Sequence, residues 1–153
     1  MEIKAQLKDV QILQRELTPQ ETEQVNAGFD ALSLEEGVAL ESREPINLLA
    51  MKENELIGCA TGSAHKNGEE YTGWFHLTDL YVEKEYRDQG MGSELLNELE
   101  ETLRQMGIRH IWLWTSAEPT LRFYRRHGYT QFTEMENWYS DGSSRIGMRK
   151  TIT

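Results

Sequence analysis

Residues 91–106 carry the pattern that most restricts the fold. Leu95, Leu96, Leu99, Leu103 and Met106 recur at spacings of one, three, four and three, which is one stripe of an amphipathic helix, and Gly107 stops it. A β-prone run ending near Val82 precedes this helix, and His110-Ile111-Trp112-Leu113-Trp114-Thr115 follows it as a buried strand. Strand, helix and strand in that order make a right-handed parallel crossover. Trp112 and Trp114 stand at strand period on one side of their strand, which predicts a core position.

Three turn signals surround this unit. Glu53-Asn54 separates residues 46–51 from 56–64, Asn67-Gly68 separates that second run from 71–82, and Asp141-Gly142 separates 129–135 from 145–152. Asn-Gly and Asp-Gly suit the type I′ hairpin, whose central residues need positive φ. Thr18-Pro19-Gln20-Glu21 is a capping box with proline at the first helical position, so a helix starts there. Residues 119–127 read as a short helix closed by Gly128. The expected order is strand, helix, three-strand meander, helix, strand, helix and two strands. This is an α/β fold with a mixed, mostly antiparallel sheet, one parallel βαβ crossover and helices on both faces. Residues 34–45 have no clear period and carry Glu35, Glu36, Glu41 and Glu44, which predicts a mobile loop bordering a site.

The 153 residues fit one domain with a single core. A net charge of −10, from 26 acidic and 16 basic residues, argues against nucleic-acid binding, which needs a cationic face. The same acid excess either attracts a cationic small substrate or simply keeps the protein soluble. No apolar run is long enough to span a bilayer, and residues 1–4 show no secretory pattern, so no membrane partner is expected. The lone Cys59 points to a reducing compartment, the cytoplasm, and to a buried structural thiol. No spacing of His, Cys and carboxylates suggests a metal site.

The chemistry concentrates after the strand that ends near Val82. Gly90 and Gly92 let a ligand approach the backbone, the loop amides and helix N-terminus converge on one spot, and Arg87 adds a fixed positive charge. A phosphate-bearing ligand is the expected occupant.

Arg-x-x-Gly-x-Gly at Arg87 to Gly92, after a strand ending Leu80-Tyr81-Val82, resembles the coenzyme A pyrophosphate loop of the GNAT superfamily of N-acetyltransferases. Phe123-Tyr124-Arg125-Arg126-His127-Gly128-Tyr129 resembles that family's later segment, and the two together cover about residues 77–132. The resemblance implies an acyl-CoA N-acyltransferase fold with acetyl-CoA as co-substrate and no metal. It implies that backbone groups of Leu80, Tyr81 and Val82 pair with the pantetheine arm. Arg87, Asp88, Gln89, Gly90, Met91, Gly92 and Ser93 would bind the pyrophosphate, and Tyr124 would protonate the leaving thiolate. A phenol suits that role, since its ordinary pKa lies within about two units of a thiol's. Arg122, Arg125 and Arg126 either contact the 3′-phosphate or form a solvated face.

Residues 74–82 and the ending Asn137-Trp138-Tyr139-Ser140-Asp141-Gly142 also resemble a bacterial subgroup of small-molecule acetyltransferases, which often has glutamate where this chain has Thr78, so the general base is open. Asp79, His76 and then Glu36 are the candidates, with Asp79 and His76 expected on opposite faces of their strand. Glu35 and Glu36 are expected to border the acceptor; His65, His110 and His127 have no expected role. The expected acceptor is a primary amine on a cationic small molecule; a protein or peptide amine, or a non-catalytic acyl-CoA sensor, are the alternatives. Exposed Trp138 and Tyr139 near the closing hairpin suggest a homodimer.

Overall fold

Local signals set where each element begins and ends. A computed structural model describes residues 7–116 and 118–153. The chain divides into two compact units, Met1–Leu40 and Glu41–Thr153.

Among the described residues the first unit holds one α-helix, Pro19–Glu35 (α1). Its start is the expected capping box: the Glu21 amide donates to Thr18 Oγ1 at 3.1 Å and the Thr18 amide donates to Glu21 Oε1 at 2.9 Å. Arg15 grips the Glu21 carboxylate at 2.8 and 2.9 Å, and this pairing first, then the cap, holds that carboxyl down to about 2. The strand expected before α1 is absent from the described residues; Val10 to Gln14 have no ladder partner, and a lone extended segment is not stable as a strand. The loop expected at residues 34–45 is also corrected. α1 runs through Glu35 and ends where Gly37 takes φ +73°, with the Val38 amide on the Ser33 carbonyl and the Gly37 amide on Leu34. That is the Schellman closure, which glycine makes without a Cβ clash.

The second unit is a six-stranded sheet in the order β1-β2-β3-β4-β6-β5. Its strands are Glu41–Lys52 (β1), Glu55–Asn67 (β2), Glu70–Val82 (β3), His110–Thr115 (β4), Thr130–Met135 (β5) and Arg145–Thr151 (β6). Among the described residues only β3 and β4 pair in parallel, and the helix Met91–Gln105 (α2) makes the crossover between them. A second helix, Glu118–Arg126 (α3), follows β4. The sheet is therefore mixed and mostly antiparallel, as its sequence predicts. The first two turns are tight, with Glu53 and Gly68 at positive φ. The third is not: the last β5–β6 pair is Met135 with Arg145, so residues 136–144 form a long loop. Asp141 there accepts from the Ser143 amide at 2.9 Å and its hydroxyl at 2.6 Å, which stabilises a local turn instead of a two-residue hairpin. No described helix is long and apolar enough to cross a membrane.

The core forms on one face of the sheet. Leu96, Leu99 and Leu103 of α2 and Leu121 and Tyr124 of α3 join Ala60, Phe75, Leu77, Ile111, Leu113 and Met148 in one buried cluster. Trp112 and Trp114 do share a side of β4, but it is the opposite side, where both are half-buried. Strand period fixes which residues share a face and says nothing about which face is the core. Cys59 is half-buried rather than buried.

One charged group is buried in α2. Glu100, 3% exposed, receives Lys150 Nζ of β6 at 2.7 Å and the Tyr129 hydroxyl at 3.1 Å. Burial first, then Glu100, pushes the Tyr129 phenol far above its ordinary value, so it stays a donor. Arg104 Nη2 lies 3.6 Å from the Glu100 oxygen that Lys150 meets, so replacing Lys150 by Met removes one charged partner and leaves Arg104 and the Tyr129 hydroxyl. The expected cost is about 1.5–3 kcal/mol, the worth of a hydrogen bond to a charged group, and urea denaturation measures it.

Candidate active site

The site begins where two strands part. β3 and β4 pair only from Trp74 opposite His110 to His76 opposite Trp112, while β4 continues beside β6 as far as Thr115 opposite Ile146. Residues 77–82 therefore keep a ladder on the β2 side only. Their other edge offers unpaired amides and carbonyls, which can take an extended ligand as an extra strand. A cleft of about 680 Å³ lies at this edge.

Leu80, Tyr81 and Val82 form one wall of the cleft. Arg87, Asp88 and Gly90 follow, then Met91, Gly92 and Ser93 in the first turn of α2. Asp88 at φ +61° and Gly90 at φ +88° put left-handed residues into the loop, and Gly90 is the N-cap of α2. A Cβ on Gly90 would meet nothing within 4 Å, so glycine serves the backbone conformation there. The loop amides and the helix N-terminus then converge on an anion-binding concavity. Gln89 is the one expected member that does not line the cleft; its side-chain amide donates to the Glu85 carbonyl at 3.2 Å. Arg87 Nε donates to the Val82 carbonyl at 2.9 Å, tying the loop to the strand end. Val82 then keeps its amide and one lone pair for a ligand. Of the three arginines on α3, Arg126 reaches the cleft.

Tyr124 enters from α3. Its ring packs edge-on against Phe123 at 5.3 Å and Tyr129 at 5.4 Å, and burial pushes its phenol up to about 12. The gap to an ordinary thiol near 8.5 is thus about 3.5 units, wider than the sequence alone implied. Tyr124 is accordingly held as an O–H donor throughout the physiological range. Beside it, Ser93 Oγ lies 2.9 Å from His127 Nε2, and burial lowers the His127 pKa first. Sequence reasoning missed this link, which joins the first turn of α2 to the turn just after α3, 34 residues apart, and has no local sequence signal; the His127 ring also packs against Phe123 at 4.7 Å.

The base candidates need a correction. His76 and Asp79 do not point to opposite faces. The β2–β3 register jumps from Gly62 opposite Leu77 to Thr61 opposite Asp79, so Thr78 is an extra residue in a β-bulge. Thr78 Oγ1 donates to the Thr61 carbonyl at 3.0 Å, and Thr61 Oγ1 donates to Asp79 Oδ2 at 3.0 Å. The bulge shifts the alternation by one: Phe75, Leu77, Leu80 and Val82 pack with the core, and His76, Asp79 and Tyr81 share the other face. The signal was Gly62. A Cβ there would sit 2.1 Å from the His76 carbonyl oxygen and 2.6 Å from the Phe75 ring, and a glycine inside a strand marks such a close approach.

The His76 ring lies flat on Trp112, centroids 3.8 Å apart. Burial first, then His65, Arg43 and Arg145, depresses its pKa below the usual 6.5, so it is neutral at neutral pH. Glu35 and Glu36 lie in the first unit, exposed, at the last residue and cap of α1.

Strand splay, anion loop and buried tyrosine meet in one cleft of a mixed α/β fold, suited to an extended ligand with an anionic end. The family model described as Acetyltransferase (GNAT) family matches residues 10–129, and the chain belongs to that family. It is similar to an acetyltransferase from Bacillus cereus ATCC 14579, with a TM-score of 0.73 and 24% identity over 92% of this chain and 97% of the other. It is 26% identical to the catalytic subunit of the N-terminal acetyltransferase B complex of Arabidopsis thaliana, over 65% of this chain and 58% of that one. It is 32% identical to the thialysine N-epsilon-acetyltransferase of Sus scrofa, over 46% and 45%. The chain spans about half the length of the curated relatives it matches.

Proposed function

We propose that this protein is an N-acetyltransferase that moves the acetyl group of acetyl-CoA directly to a primary amine. One observation carries it: Leu80, Tyr81 and Val82 at the splayed end of β3, the Gly90 to Ser93 amides and the Tyr124 ring meet in a single cleft. The edge would hold the pantetheine arm as an added strand, and the loop with Arg87 would hold the pyrophosphate. The amine nitrogen bonds to the acyl carbon as the carbon–sulfur bond breaks. His76 or Asp79 takes the amine's proton, and the thiolate takes a hydrogen bond and then a proton from Tyr124. His76 is the stronger candidate, being neutral and the last β3 residue before the splay.

A small-molecule amine is the proposed acceptor. Support comes from the −10 charge, which draws a protonated amine, and from the pig relative's name, which specifies a small amino acid. A protein amine is the second reading, favoured by the Arabidopsis relative and by likeness to the ribosomal-protein-S18-alanine N-acetyltransferase of Escherichia coli, with a TM-score of 0.61. Free-thiol release from acetyl-CoA across small amines and N-terminal peptides separates the two. The proposal extends to one catalytic domain working in the cytoplasm. It includes a homodimer through the loop where Trp138 is 52% exposed, which sedimentation checks.

Two outcomes follow for this site. Arg87→Ala is expected to raise the KM for acetyl-CoA about tenfold, the worth of one charge-assisted contact, with kcat little changed. With His76 as base, kcat/KM falls on the acid side, where the ring becomes protonated. Because its pKa is depressed, that limb lies below pH 6.5, and it is expected to vanish in His76→Gln.

A further inference from the structure

Opposite the core, the sheet of the second unit carries a row of rings. Trp74 stacks on His110 at 4.5 Å and His76 on Trp112 at 3.8 Å, while the Trp112 indole N–H donates to His65 Nε2 at 3.3 Å. Two cavities open on this row, of about 600 and about 260 Å³, and Trp74 and Trp112 line both. The larger is within the size range of small-molecule sites. The row ends at His76, and the splay that opens the acyl cleft begins at the next residue.

Cations sit among the rings. Arg149, which lines the smaller cavity, lies 4.7 Å over Trp74, and Arg43 lines the larger one. Neither forms a salt bridge among the described residues, whereas Lys66 in the same wall is 3.9 Å from Glu44. Glu41 is the one acidic side chain lining either cavity. In a chain of net charge −10, this is a local surplus of positive charge beside flat apolar surface. A simple cation would be repelled there. A planar anion gains both ring stacking and charge-assisted hydrogen bonds.

Resting on the acetyl-transfer function proposed above, we propose that this face binds the body of the acceptor, a flat aromatic ring bearing an acidic group, with its amine presented at His76. The ring stacks on Trp112 and Trp74, and Arg43 and Arg149 meet the acid. The acceptor is then an amino acid-like zwitterion: the long-range acidic field acts on its ammonium, and the two arginines act on its carboxylate. This narrows the cationic small molecule expected from net charge alone.

Two readouts test it on the full chain. The first is binding of 2-naphthoate by calorimetry without acetyl-CoA, beside neutral 2-naphthalenemethanol. Naphthoate is expected to bind at least tenfold more tightly than the alcohol, and Arg43→Gln with Arg149→Gln together should abolish that preference. Trp112→Ala should weaken both ligands, and the two arginine changes keep the test valid if that variant does not fold. The second is kcat/KM for 4-(aminomethyl)benzoate against benzylamine, with an expected preference of at least tenfold for the acid that the arginine variants lose. Equal binding of naphthoate and alcohol, or a preference that survives both arginine changes, overturns the site. Equal turnover of the two amines overturns its assignment to the acceptor. Arginine-dependent naphthoate binding with no turnover of any amine supports an anion site here and instead overturns acetyl transfer.

Discussion

Tyr124→Phe is expected to lower kcat by about 10² to 10³-fold, the range for loss of a positioned general acid. The acetyl-CoA dissociation constant should stay within about twofold, since the anion loop and strand edge are untouched. The change removes one oxygen and keeps the ring, so packing against Phe123 and Tyr129 is preserved and stability should barely move. The acid role also has a pH signature. Burial holds the phenol protonated up to about 12, so Tyr124 contributes no alkaline loss of activity below about pH 11. Steady-state kinetics with calorimetric binding separates the two effects. Unchanged kcat in the phenylalanine variant would assign proton delivery to water.

Gly62→Val is expected to be the most damaging single change outside the cleft. Its Cβ would lie 2.1 Å from a backbone carbonyl oxygen and 2.6 Å from a buried ring, and neither can swing away as a flexible side chain would. Overpacking of this kind costs about 3 kcal/mol or more. For a domain of this size that corresponds to about 6–12 °C in Tm. The damage is also specific. The Cβ can be accommodated by shifting the β2–β3 register, and a shift there undoes the bulge that turns Asp79 onto the His76 face. Activity per folded molecule should therefore fall along with Tm. A variant with wild-type Tm and kcat would show that the strand tolerates side chains at this contact and that the bulge does not depend on glycine.

Much of the fold was legible because its signals are local. The Leu95, Leu96, Leu99 and Leu103 stripe marked α2, the two tight turns marked the meander, and the capping box marked the start of α1. The cleft was legible for the same reason: its loop and strand end are contiguous in sequence, and Tyr124 lies one helix, one strand and part of a second helix further on. What failed depended on pairing between distant residues. The bulge at Thr78 exists only relative to β2, so strict alternation put His76 and Asp79 on the wrong sides of each other. Trp112 and Trp114 were correctly grouped and wrongly sent to the core, because period does not say which face the helices cover. The Asp141-Gly142 signal was real as a local turn, but the long loop around it was set by where β5 meets β6.

Catalytic acyl transfer in the Leu80 to Tyr124 cleft is tested most directly by free-thiol release from acetyl-CoA across an amine panel, with the product's mass measured in the same samples. The expected result is one acetylated amine for each thiol released, in an amine-dependent reaction that Tyr124→Phe slows without weakening acetyl-CoA binding. Tight acetyl-CoA binding with no thiol release for any small amine or peptide would contradict the claim and leave a protein that only senses its ligand.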